Sequence, residues 1–141
     1  MSRYPIEHAE RFILVPGGNG AEPEGRSAGH CVITVEDTTV DLYFTEFGNS
    51  GEWSKFAEIF KPENEHYLVF GTLRCESEER VRSYLNDDQA KVVTMEGGGR
   101  DTIVTSGKFA ISSHTYTPAP DGYPFFGALV SARLELLRTP A

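Results

Sequence analysis

Cysteine is scarce in this chain of 141 residues, which contains only Cys31 and Cys75. Two cysteines exclude a disulfide framework of several bridges and a zinc site built from four cysteines. Both lie in apolar, strand-like runs, so we expect buried free thiols. A single bridge between them stays open at this point, because the sequence does not give the Cα separation that a disulfide requires.

Long apolar stretches are absent as well. No segment approaches the roughly 18 consecutive apolar residues that a membrane-spanning helix needs. The first ten residues are polar and mixed in charge, without the apolar segment of a secretory signal. We therefore expect a soluble intracellular protein without a membrane partner, either cytoplasmic or part of a particle assembled inside the cell.

Positive charge is in short supply. The chain has 13 basic and 21 acidic residues, a net charge of −8. The densest acidic segment is 36–65, with eight acidic residues against Lys55 and Lys61. Such a field repels phosphate backbones, which disfavours direct binding of nucleic acid. It allows a basic protein partner, and it equally fits a surface that keeps the protein in solution.

Catalytic and cofactor motifs are missing too. The chain lacks the Gly-X-Ser-X-Gly nucleophile motif, a phosphate-binding loop and a His-Glu-X-X-His zinc motif. No two of its four histidines stand at helical or strand spacing. A metal site would need side chains from distant strands, such as His30, His66 and Asp41. From the sequence we expect neither a metal nor a cofactor, and we assign no catalytic residue.

What the sequence does contain is an alternation of apolar and polar residues typical of strands, with two helical segments between them. The predicted fold class is α+β, a mostly antiparallel sheet or partly closed β-barrel of about seven strands with two short helices. We predict one domain over residues 1–141, with an N-terminal arm and two long loops (1–10, 17–29 and 117–125). Segment 102–117 is predicted as one continuous strand.

Both predicted helices have recognisable start signals. Asn49 and Glu52 have the spacing of a capping box before the apolar stripe of the first helix. Ser77 is a candidate N-cap of the second helix. Tyr67 lies in an apolar run that predicts a central strand.

Three functions fit this pattern. The first is a non-enzymatic interaction or structural assembly domain that associates with itself or another protein, for example as a subunit of a phage-like particle. The second is an acidic inhibitor or immunity-like protein that occupies a basic groove. The third is a small enzyme or ligand-binding barrel, with His30, Asp41, Tyr43 and His66 as its candidate residues. The partner-binding candidates are acidic and aromatic side chains: Glu36, Asp37, Asp41, Glu46, Glu63, Glu65, Tyr116, Tyr123 and Phe125.

Overall fold

In the part of the chain that the structure describes, alternating apolar residues form eight strands, and two amphipathic segments form helices. The computed structural model describes residues 2–15, 25–95, 100–118, 121 and 129–138. The helices are α1 (Glu52–Ile59) and α2 (Glu78–Leu85). The strands are β1 (Ile6–Val15), β2 (Arg26–Val35), β3 (Thr38–Glu46), β4 (His66–Thr72), β5 (Lys91–Val92), β6 (Asp101–Thr105), β7 (Phe109–Thr117) and β8 (Leu129–Leu136).

The strands form a six-stranded sheet and a separate hairpin. The large sheet has the order β1-β2-β3-β4-β6-β5, and β7 pairs with β8. Among the described strands only β3 and β4 run parallel, because α1 carries the chain back before β4 begins. The other pairs are antiparallel. The fold class is therefore α+β, as predicted, and the described strands form open sheets rather than a closed barrel.

The large sheet is covered on its two faces by different elements. The helices pack on one face, where Trp53 and Phe56 of α1 contact Phe47 in a fully buried aromatic cluster. The β7–β8 hairpin packs on the other face around a smaller cluster that includes Ile33, Val40 and Phe109. The sheet thus has one well-filled face and one face with a thinner apolar layer.

Several predicted boundaries need correction. The expected N-terminal arm is shorter, because β1 begins at Ile6. The expected loop 17–29 ends earlier, because β2 begins at Arg26, and residues 16–24 lie outside the described part of the chain. Segment 102–117 is two strands, since the chain turns between Ser106 and Phe109. Most of the expected loop 117–125 also lies outside the described residues.

The helix starts show how local chemistry sets the element boundaries. Ser77 accepts a hydrogen bond from the Arg80 N–H at 3.1 Å, which confirms the predicted cap of α2. At α1 the N-cap is Gly51, and the Glu52 carboxylate accepts the N–H groups of Gly48 and Asn49 at 2.6 and 2.9 Å. The reciprocal half of the expected capping box is thus present, although Asn49 itself accepts the Gly51 N–H.

Both cysteines are buried free thiols, as predicted. Burial raises the pKa of Cys75 to about 12 and raises that of Cys31 as well. Within the described part of the chain, no helix is long and apolar enough to cross a membrane.

Candidate active site around His30

His30 lies in the middle of β2 and brings side chains from three strands together. The register pairs it with Glu10 on β1 and with Tyr43 on β3, so all three side chains lie on the helix-facing side of the sheet. The imidazole is 7% exposed and stacks on the Tyr43 ring, with ring centroids 4.3 Å apart. The strand pairing therefore places a histidine between a solvent-facing carboxylate and the aromatic core.

Both ring nitrogens of His30 face carboxylates. Nδ1 lies 2.8 Å from Oε1 of Glu10, and Nε2 lies 2.6 Å from Oδ1 of Asp41. A neutral imidazole has only one N–H to donate. A single ring N–H therefore serves one of the two carboxylates, and the other contact needs a further proton, on the ring or on the carboxyl group, or a metal ion.

Asp41 is a fixed partner in this arrangement. Its side chain is completely buried. Oδ2 accepts hydrogen bonds from the backbone N–H of Asn64 at 3.0 Å and from its side-chain amide at 2.9 Å. The remaining oxygen faces His30, so the loop that carries Asn64, between α1 and β4, holds the carboxylate that orients the imidazole.

Glu10 forms the solvent side of the cluster. Its side chain is 42% exposed, and the hydrogen bond to His30 lowers its pKa, which keeps it ionised. Nε2 of His8 lies 3.6 Å from the same Glu10 oxygen. One ligand atom each from His8, Glu10 and His30 lies within 4.8 Å of the other two. Within the described part of the chain, these three residues are the group that could hold a metal ion.

The structure brings together three of the four residues considered for an enzyme: His30, Asp41 and Tyr43. His66 does not join them, because it lies on the opposite face of the sheet, where its Nε2 contacts the carbonyl oxygen of Leu137 and its ring meets Phe109 edge-on. Sequence reasoning missed Glu10 and His8 by placing them in an arm. Their two-residue spacing, directly before an apolar run, is the strand signal that identifies them as neighbours on one face.

The acidic residues expected to bind a basic partner divide into two groups. Asp41 is buried and bonded within the fold, so it does not lie on a partner-binding surface. The others are exposed, at the β2–β3 turn (Glu36 and Asp37), at the end of β3 (Glu46) and before β4 (Glu63 and Glu65). A role for these exposed residues in binding a partner remains a prediction.

Of the three aromatic residues predicted to bind a partner, one lies in the described part of the chain. Tyr116 is half-buried on β7 and pairs with Val130 of β8. Tyr123 and Phe125 lie outside the described residues. An aromatic interface on this segment remains a prediction.

A concave region lies between the large sheet and the hairpin. This cleft of about 440 Å³ is lined mainly by apolar side chains, among them Phe70, Ile103 and Leu134. The carboxylate in its lining is Asp101, which accepts a hydrogen bond from the Thr72 hydroxyl at 2.8 Å. The cleft therefore offers fewer groups for acid–base chemistry than the His30 cluster does.

Comparison with known proteins relates the fold to a group of enzymes. No protein-family model and no curated protein matches the chain. Among solved structures, an endonuclease/exonuclease/phosphatase from Beutenbergia cavernae matches 97% of this chain and 47% of its own length, at 15% identity and a TM-score of 0.68. The human Nocturnin catalytic domain matches 95% of this chain and 60% of its own, at 12% identity and a TM-score of 0.60.

A mannosyl-6-phosphatase from Bacteroides thetaiotaomicron matches 94% of this chain and 67% of its own, at 9% identity and a TM-score of 0.58. The chain thus spans about half to two thirds of the length of these structures. Because these neighbours are enzymes, the predictions of a non-enzymatic assembly domain and of an inhibitor are wrong. The chain has a fold found in endonuclease/exonuclease/phosphatase proteins.

Proposed function

We propose that the protein is a hydrolase of small phosphate esters and that the reaction takes place at the cluster of Glu10, His30 and Asp41. The observation that carries this proposal is the chain of short contacts from solvent-facing Glu10 through buried His30 to buried Asp41. The fold supports the same conclusion, since proteins that share it include a phosphatase and members described as endonuclease/exonuclease/phosphatase.

The roles of the residues follow from their positions. Asp41 fixes the orientation of the His30 ring, as the buried carboxylate does in other histidine–carboxylate pairs. The solvent-facing edge formed by Glu10 and Nδ1 of His30 is where a water molecule and the substrate meet. The water oxygen forms a bond to phosphorus while the ester P–O bond breaks. The cluster takes up a proton from the water, and the leaving alkoxide takes one from solvent.

Charge argues for a small substrate rather than a polymer. The net charge of −8 repels a long phosphate backbone more strongly than it repels a single phosphate group. The expectation that the protein does not bind nucleic acid directly rests on the same charge and remains a prediction. The charge is thus better matched to a small phosphate ester, as the name of the mannosyl-6-phosphatase indicates for that protein, than to a nucleic acid.

The proposal is tested with p-nitrophenyl phosphate and bis(p-nitrophenyl) phosphate as substrates, by following release of p-nitrophenol. We expect Asp41→Asn and Glu10→Gln to lower kcat/KM by roughly 10²- to 10⁴-fold, the usual contribution of a positioned acid–base group. Glu10 is exposed on an edge strand, so its substitution leaves the core intact. Thermal melting of each variant shows whether the fold is retained.

Asp101→Asn is the matched control, because it removes a carboxylate from the cleft between the sheet and the hairpin. We expect this variant to keep wild-type activity. If Asp101→Asn loses activity while Glu10→Gln keeps it, the reaction takes place in the cleft and the proposed site is wrong. If the wild-type protein hydrolyses neither substrate with any added divalent cation, the proposed function is wrong.

A further inference from the structure

We propose that His8, Glu10 and His30 form a binding site for one divalent metal ion of the zinc class. This inference deepens the proposed function and rests on it only for the use of the metal in catalysis, because binding of the ion is measurable without any reaction. Two imidazoles and one carboxylate are a ligand set of catalytic zinc sites, in which the fourth position is open to water or substrate.

The distances fit a shared ion. Zinc binds imidazole nitrogen and carboxylate oxygen at about 2.0–2.2 Å, so two ligand atoms of a tetrahedral site lie about 3.3 Å apart. The Glu10 oxygen is 2.8 Å from Nδ1 of His30 and 3.6 Å from Nε2 of His8. All three atoms lie within 4.8 Å of one another. Small rotations of two exposed side chains complete the coordination, while the buried His30 stays in place.

The groups behind His30 are those that a metal-binding histidine needs. The ring nitrogen opposite the metal ordinarily donates to a carboxylate or carbonyl, which fixes the tautomer and strengthens the ligand. Nε2 of His30 is 2.6 Å from the buried carboxylate of Asp41, and Asn64 holds that carboxylate through two hydrogen bonds. Nδ1 is then the free ligand, and the metal ion replaces the second proton that two carboxylates would otherwise require.

The site is also accessible. His8 and Glu10 are exposed on the edge strand β1. The coordination positions of the ion that no protein atom fills therefore face solvent. An ion at this point would offset the negative charge of Glu10 and Asp41 and would attract a phosphate group to an otherwise acidic protein. When bound, zinc supplies an activated water with a pKa near 7 and polarises the phosphoryl oxygens.

The test is isothermal titration of untagged, chelator-treated protein with zinc chloride. We expect one ion per chain for the wild-type protein. His8→Asn and Glu10→Gln should each weaken binding by roughly tenfold or more, and Asp41→Asn by about 10- to 100-fold through the loss of its support for His30. His114→Asn is the control, because it removes an exposed histidine on β7, in the other sheet, and should bind zinc as the wild type does.

Cobalt chloride gives a second readout, since a nitrogen- and oxygen-ligated cobalt site with low coordination has visible absorption bands that are stronger and lie at longer wavelength than the weak band of hydrated cobalt. Absence of zinc binding, or unchanged affinity in His8→Asn and Glu10→Gln, would overturn the metal site. Zinc binding without hydrolysis of any phosphate ester would overturn the proposed function and leave the metal site standing. Hydrolysis that survives both the chelator and His8→Asn, in a protein that binds no zinc, would overturn the metal site and leave the proposed function standing.

Discussion

The phenol groups of Tyr43 and Tyr67 resist ionisation because they are buried. Desolvation raises the pKa of Tyr43 to about 12. It also raises the pKa of Tyr67, whose hydroxyl donates to Asp87 at 2.7 Å. In the unfolded chain both phenols ionise near pH 10. The stabilisation is therefore complete below pH 10, and the free energy of unfolding falls as the pH rises from 10 towards 12.

We expect this loss to reach about 1.4 kcal/mol per pH unit for each buried tyrosine, as proton linkage requires. Tyr43→Phe should flatten the dependence above pH 10, at some cost in stability at neutral pH because the hydroxyl accepts the Lys61 N–H. Denaturant unfolding at a series of alkaline pH values measures the slope. The exposed Tyr4→Phe is the control. An identical slope in Tyr43→Phe and wild type would contradict the assignment.

Among the individual residues of the candidate site, some could be predicted from the sequence and others could not. His30, Asp41 and Tyr43 could be named because they fall in two neighbouring predicted strands, where hairpin pairing brings them close. Glu10 and His8 depend on the pairing of β1 with β2, across a connection whose length hides the register. His66 was grouped with them because histidine chemistry is visible in a sequence, whereas the face of a fully apolar strand is not.

Gly71 governs the end of β4. Its φ of +133° is a conformation that residues with a side chain rarely adopt, and a Cβ there would collide with the carbonyl oxygen of Thr45. We expect Gly71→Ala to lower the free energy of unfolding by about 1–3 kcal/mol, because the backbone must move at a strand between β3 and β6. Denaturant unfolding measures this cost.

The control for this prediction is Gly51→Ala. Gly51 has helical φ and ψ of −67° and −19°, and the nearest atom to an added Cβ is the end of the Asn49 side chain at 3.0 Å. This variant should change stability by no more than about 0.5 kcal/mol. Equal stabilities of Gly71→Ala and wild type would show that β4 does not need glycine at this position.

Among the elements, those with strong local signals were predicted well. The apolar stripe of α1 and the Ser77 cap of α2 are properties of neighbouring residues, and both helices are present. The break at 106–108 was missed, because alternation continues on both sides of the turn and does not reveal a change of sheet. The parallel pairing of β3 with β4 was also beyond the sequence, since strand direction depends on the path through α1.

The whole molecule is stabilised unevenly on the two faces of its large sheet. On the helix-covered side, side chains such as Val69 and Trp53 are 0–1% exposed. On the other side, the residues of β8 alternate between exposed and half-buried, and Phe109 is the hydrophobic residue of the described hairpin strands that is buried. Local opening requires less free energy where less apolar surface is buried.

We therefore expect hydrogen exchange to divide the molecule, with the amides of β7 and β8 exchanging faster than those of β3 and β4. Phe109→Ala should widen this difference, because it removes the main buried anchor of the hairpin while leaving the helix-side core in place. Mass spectrometry of peptic fragments after exchange into deuterated buffer measures both regions at once. Equal protection of the hairpin and the central strands would mean that the two faces unfold as one cooperative unit. In that case Phe109→Ala should accelerate exchange throughout the chain.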